Sequence, residues 1–208
     1  MGRRRADTYR DRPLVNAVAA TSFVLGGGLF AIGAGLAQAD VGGPLLPASV
    51  YLSGGVFFCS GGFASVLLTR GTSRLEYLSA VVLFAGTLVF AINIVDSFIS
   101  ELTPAQQDRL IWSPDVVGCA LFLASGHFAM VDLTGTWLPR HPPPGIGWWI
   151  CVVNQVGSVL FMVSAIASFV HRDGDLLAAG IANWGTLTGA LCFAIAGVMQ
   201  EFERPGED

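Results

Sequence analysis

The sequence has no lysine; all eleven basic residues are arginine. Charge of either sign is scarce, at 12% of residues against about 25% in an ordinary soluble domain. With 53% hydrophobic residues and a mean hydropathy of +0.63, this scarcity excludes water as the main solvent. Enzyme signatures are missing too. There is no phosphate-cradling Gly-Lys-Thr/Ser loop, no histidine pair at metal-ligand spacing, no nucleophile elbow and no basic face for nucleic acid. Cys59, Cys119, Cys151 and Cys192 follow no metal or redox spacing and read as small apolar packing residues. The expectation is a protein with no enzymatic activity, no catalytic residue, no cofactor and no metal.

What the sequence does have is long apolar runs, near 14–37, 48–69, 75–98, 115–132, 147–170 and 177–200. A bilayer core needs about 20 apolar residues per helix. The runs therefore predict an all-α, polytopic membrane protein of six transmembrane helices, forming one domain over 14–200 between an Arg-rich tail, 1–13, and an acidic tail, 201–208. The first run and its Ala37-Gln38-Ala39 triplet also resemble a signal peptide. Its 24 residues exceed a typical h-region of about 7–15, so it reads as a span.

Arg3, Arg4, Arg5, Arg10, Arg12, Arg70, Arg74, Arg140 and Arg204 fall on one side of this arrangement, and only Arg109 and Arg172 on the other. The positive-inside rule then predicts both termini in the cytoplasm, for a protein of the bacterial inner (plasma) membrane. Trp112, Trp137, Trp148, Trp149 and Trp184 lie near helix ends, where indole rings favour the headgroup region.

One motif occurs once in every helix. Gly-x-x-x-Phe appears at Gly26/Phe30, Gly54/Phe58, Gly86/Phe90, Gly118/Phe122, Gly157/Phe161 and Gly189/Phe193, whereas chance predicts about two scattered matches. The even helices add a further glycine, Gly62, Gly126 or Gly197; the odd helices place Ala34, Ile94 or Ala165 there. The unit is thus a two-helix hairpin, over 14–69, 75–132 and 147–200, and three hairpins inserted in the same sense are parallel repeats about an axis along the membrane normal. Residues four apart share a helix face, so each row sets a bulky knob between notches and lets backbones approach. Helix packing is the expected role, with phenylalanines lining a central constriction as the functional alternative.

Ionisable or polar groups inside a membrane are functional candidates by default. Asn93 and Asp96 share a face near the outer end of the third helix and, with Asp115, form a candidate acidic site or pathway; His127 lies deeper in the fourth helix. Against this, Ser113-Pro114-Asp115 reads as a helix start, with Asp115 facing the positive end of the dipole. Asn154, Gln155, Ser158 and Ser164 suit interhelical hydrogen bonds. Three consecutive prolines, Pro142, Pro143 and Pro144, in the stretch 138–147 predict a stiff connector.

The stretches WSPDVVGCALFLASGHFAMVD, WWICVVNQVGSVLFMVSAIASFV and IANWGTLTGALCFAIAGVMQEFE carry Trp148-Trp149, Asn154 with Gly157-Ser158, and Ala182-Asn183-Trp184-Gly185-Thr186 before Gly189-Ala190-Leu191-Cys192-Phe193. Over 112–203 the chain resembles the YrhK-like family of small bacterial membrane proteins, especially its longer, actinobacterial members. The resemblance implies a hairpin architecture and brings no established activity, so no catalytic residue is carried over. Two functions are expected from these features. The first is an accessory or scaffold subunit in the lipid bilayer, docking on a membrane-protein partner in a larger cell-envelope complex. The second is a small solute or ion transporter or channel with its pathway between the hairpins.

Overall fold

The computed structural model describes residues 12–138 and 145–203. Arg3, Arg4, Arg5, Arg10, Arg140, Arg204, His141 and the connector prolines 142–144 lie outside the described residues. Among the described residues there is no strand, and six helices are long and apolar enough to cross a membrane. They are α1 (Arg12–Gln38), α2 (Leu45–Leu68), α3 (Arg74–Asp96), α4 (Pro104–Thr134), α5 (Ile146–Ala167) and α6 (Ala179–Glu201). The chain is a membrane protein built from these six helices.

Local chemistry explains the ends. The Ser73 hydroxyl accepts the Glu76 amide N–H at 3.0 Å and caps α3, and it also bonds Asp132 at the end of α4. Gly135 ends α4 in the left-handed conformation, φ 67°, which costs a residue without Cβ little. The start of α4 corrects the sequence reading. The helix begins at Pro104, where Thr103 and Gln106 form a capping box, and runs through one π turn, Asp108–Trp112, into Ser113–Thr134. Ser113 makes no cap. Asp115 is therefore in the body of α4, and the proline at 114 stands two residues after a wide turn that relieves the lost N–H.

The helices run alternately up and down and close into a ring. α1 packs on α2, α2 on α3, α3 on α4, α4 on α5, α5 on α6, and α6 returns to α1. We call the end where α1 starts and α6 finishes the near end, and the opposite one the far end.

Within each hairpin the two Gly-x-x-x-Phe rows exchange knobs and notches. A methyl group added to Gly26 would lie 2.9 Å from the Phe58 ring, and one on Gly54 would lie 2.6 Å from the Phe30 ring. The corresponding approaches are 2.8 Å for Gly86 on Phe122, 3.1 Å for Gly118 on Phe90, 3.0 Å for Gly157 on Phe193 and 3.2 Å for Gly189 on Phe161. Only hydrogen at these six positions admits the opposing ring, and the contact is dispersion, the main attraction between helices in lipid.

The additional glycines of the even helices serve the seams between hairpins. Gly62 of α2 would meet Phe84 of α3 at 3.2 Å, Gly197 of α6 would meet Val24 of α1 at 3.0 Å, and Gly126 of α4 takes the Gln155 side chain of α5. Val24, Phe84 and Gln155 each stand two residues before the glycine of their own row. The three seams thus use one pair of positions, with a different filler in each.

Because the odd helices run toward the far end and the even ones back, their phenylalanines separate into two levels. Phe30, Phe90 and Phe161 form a far triangle with ring centroids 5.7, 6.0 and 6.5 Å apart. Phe58 and Phe122 flank Phe193 at 5.6 and 5.8 Å on the near level. Pairs within hairpins, Phe30 with Phe58 at 5.1 Å, Phe90 with Phe122 at 5.8 Å and Phe161 with Phe193 at 5.4 Å, join the levels. These rings, five of them buried and Phe90 half-buried, are the centre of the core.

Candidate functional site

The double layer of phenylalanines divides the interior into two cavities. The near cavity, about 100 Å³, is lined by Ser79, Ser125, Cys151, Asn154, Ser158 and Gln200 and ends on Phe122 and Phe193. The far cavity, about 200 Å³, ends on Phe30, Phe90 and Phe161. Between them, among the rings, remains about 10 Å³, below what one water needs.

Polar groups of the near cavity are mostly tied to one another. Ser79 and Ser125 donate to each other's carbonyl oxygens, both at 2.9 Å, and join α3 to α4. Asn16 donates to the Gln200 carbonyl at 3.1 Å, and the Gln200 amide returns a bond to Asn16 Oδ1 at 2.9 Å, closing α1 onto α6. Such bonds average about 0.6 kcal/mol between membrane helices, so they fix register more than they stabilise.

The far cavity is different in holding a carboxylate. Asp115 projects into it from α4, with Asn93 of α3 facing it and directing its amide to the same group. Cys119 Sγ, one turn along, stands 3.8 Å from Asp115 Oδ1. Tyr51, Ser164, Ser168, Asn183 and Thr186 complete the polar lining, and among the described residues no basic side chain contributes to it. An ionised carboxylate in such surroundings is costly unless a cation stands beside it or a proton neutralises it.

A folded connector covers this end. Residues between α5 and α6 make a tight loop in which the His171 amide N–H bonds the Asp175 carbonyl at 2.8 Å and Leu177 N–H bonds the Phe169 carbonyl at 2.8 Å. Leu176 of this loop reaches the cavity. The π turn of α4 anchors the loop and the end of α5: Asp108 Oδ1 accepts the Val170 amide of the loop at 3.1 Å, and Trp112 Nε1 donates to the Ala165 carbonyl of α5 at 2.8 Å.

Of the residues singled out from sequence, Asn93 and Asp115 come together at the far cavity. Asp96 does not line it; it is the last residue of α3. His127 lines neither cavity and makes a tilted ring contact with Trp137, centroids 5.9 Å apart, beyond the near end of α4. Asn154 lines the near cavity, whereas Gln155 turns to the seam, where Nε2 donates to the Leu123 carbonyl at 3.3 Å and the buried Oε1 has no partner. Tyr51 and Thr186 were missed. Both stand three residues before the glycine of an even row, like Asp115, so their phase relative to the row identifies them. Among the described residues no group of three His, Cys, Asp or Glu side chains is placed to hold a metal.

No family model, curated protein or solved structure matches this chain. A functional reading therefore rests on the residues and their geometry.

Proposed function

We propose that the chain is a small solute or ion carrier or channel whose pathway follows the ring axis, gated by the phenylalanine double layer. The observation that carries this reading is the pair of cavities on opposite faces of that layer, the far one holding Asp115. Rings packed so closely exclude water, and a hydrophobic constriction can close a pathway by dewetting. On this reading the hairpins are three same-sense repeats, as in transporters with parallel internal symmetry. The positive-inside bias orients the near cavity to the cytoplasm of a bacterial inner membrane. The activity is non-enzymatic. Flux of small monovalent ions and amines into liposomes loaded with a fluorescent reporter tests the reading. Flux above protein-free liposomes that rises in Phe161→Ala is expected; no flux in either protein would sink it.

A second reading has its own observation. Between α2 and α3 an apolar groove of about 410 Å³ opens outward, lined by Leu52, Val56, Phe63, Phe84 and Leu88. It suits a transmembrane helix of a larger cell-envelope complex, for which this chain would be an accessory subunit. That arrangement fits the hairpin architecture implied by the YrhK-like resemblance. Mild-detergent purification from native membranes with mass spectrometry tests it, and recovery of the isolated chain alone would count against it.

A further inference from the structure

We infer that the far cavity is a binding site for a small organic monocation, a short-chain alkylammonium, with its charge on Asp115 and its hydrocarbon on the far phenylalanine triangle. The inference deepens the carrier reading by naming the solute class, and it concerns binding, which is measured separately from flux.

Charge comes first. Among the described residues the cavity presents one carboxylate and no basic side chain, so it suits a single positive charge. Around that carboxylate stand the acceptor groups an ammonium needs. Asp115 offers two oxygens, Asn93 its amide oxygen, and the hydroxyls of Ser164 and Thr186, 2.7 Å apart, lie on the opposing hairpin.

Size and polarity then choose between a metal ion and an organic cation. About 200 Å³ is far more than a bare ion fills and less than the 300 Å³ or so of a drug-sized pocket. A hydrated ion would press its waters against Phe30, Phe90, Phe161 and Ile94 without hydrogen bonds. An alkylammonium instead leaves its hydrocarbon on those rings, and the faces of aromatic rings attract the adjacent positive charge.

The depth agrees. Asn93, which faces Asp115, is three residues beyond Phe90, about 4.5 Å along the helix, so a chain of a few carbons spans from the carboxylate to the aromatic floor.

The test uses the full chain in lipid nanodiscs at neutral pH, titrated calorimetrically with n-butylammonium chloride, sodium chloride and 1-butanol. Saturable one-site binding of n-butylammonium alone is expected, weakened at least tenfold in Asp115→Asn, a substitution of nearly the same shape. In the wild-type protein, dicyclohexylcarbodiimide should label Asp115, and n-butylammonium should suppress the adduct while sodium does not. Absence of n-butylammonium binding to folded wild type, equal binding by Asp115→Asn, or equal protection by sodium would each overturn the inference. Binding without flux would leave it standing and remove the carrier reading only.

Discussion

Ser164 Oγ and Thr186 Oγ1 meet at 2.7 Å across the third hairpin, and the same hydroxyl of Ser164 bonds the Ala182 carbonyl at 2.6 Å. Counted from the Gly-x-x-x-Phe rows, these two positions hold Asn93 and Asp115 in the second hairpin and Gly33 and Tyr51 in the first. A methyl on Gly33 would lie 2.9 Å from the Tyr51 ring, so all three pairs are in contact. Ser164→Ala removes both bonds and leaves Thr186 without this partner. A loss of about 1 kcal/mol is expected in reversible unfolding from mixed micelles, with Thr186→Ser close to neutral.

Glycines of the rows and glycines outside them should respond in opposite ways. Alanine at Gly157 would put its methyl 3.0 Å from the Gly189 carbonyl and 2.9 Å from Cys192 Cβ, and neither can step aside. A cost of about 1–3 kcal/mol is expected. Gly28, in the same kind of helix, has nothing within 4 Å of an added methyl. Gly28→Ala should be neutral or stabilising by up to about 1 kcal/mol, since alanine is the better helix former. Equal melting temperatures for the two variants would refute the packing role of the rows.

Gln155 fills the Gly126 notch with an amide whose Oε1 has no hydrogen-bond partner. Gln155→Met keeps the length, removes that buried acceptor and forfeits one 3.3 Å bond to the Leu123 carbonyl. The variant should equal or exceed wild type in thermal stability by up to about 1 kcal/mol. A clear loss would mean that the amide contributes more than its geometry indicates.

Phe161 touches four of the other five axial rings, so removing it opens the double layer from the far triangle. In lipid no transfer from water is lost, and the cost is that of the cavity and its missing dispersion contacts. Destabilisation by Phe161→Ala should therefore fall at or below the lower end of the about 3–5 kcal/mol seen in soluble cores. Chemical denaturation in detergent reads this directly.

Orientation is accessible to labelling. In a cysteine-free background, Arg172→Cys at the far end should react with a membrane-impermeant maleimide added outside intact cells, and Arg70→Cys at the near end only after lysis. Both side chains are exposed. The reverse pattern would invert the positive-inside assignment.

The six spans were legible because each is a run of apolar residues of bilayer length, and the notches were legible because Gly-x-x-x-Phe recurs in register. The start of α4 was not. Ser113-Pro114-Asp115 imitates a helix start so well that it masked the capping box at Thr103, ten residues before Ser113; the polar sequence of 104–109 hid a helix that a π turn joins to the span. The far cavity was half legible. Asn93 lies three residues beyond Phe90 and Asp115 three before Gly118, so both share the face of their row. Asp96 is six beyond Phe90 and His127 five beyond Phe122, rotated by about 240° and 140° from the axis. Depth and charge alone do not separate these pairs, whereas angular phase does.

The seam between α6 and α1 is made like the other two, with Gly197 receiving Val24 as Gly62 receives Phe84. It joins the first helix to the last, and the reciprocal Asn16–Gln200 hydrogen bonds reinforce it. The ring closes at this seam without a chain connection, and α1 starts and α6 finishes at the same end. A circular permutant, opened in the short turn at Gly71 and with its old ends joined by a flexible linker, should reach the same bundle. Two hairpins expressed apart from the third should likewise find it in the membrane, because the surfaces that recognise each other are already complete on each piece.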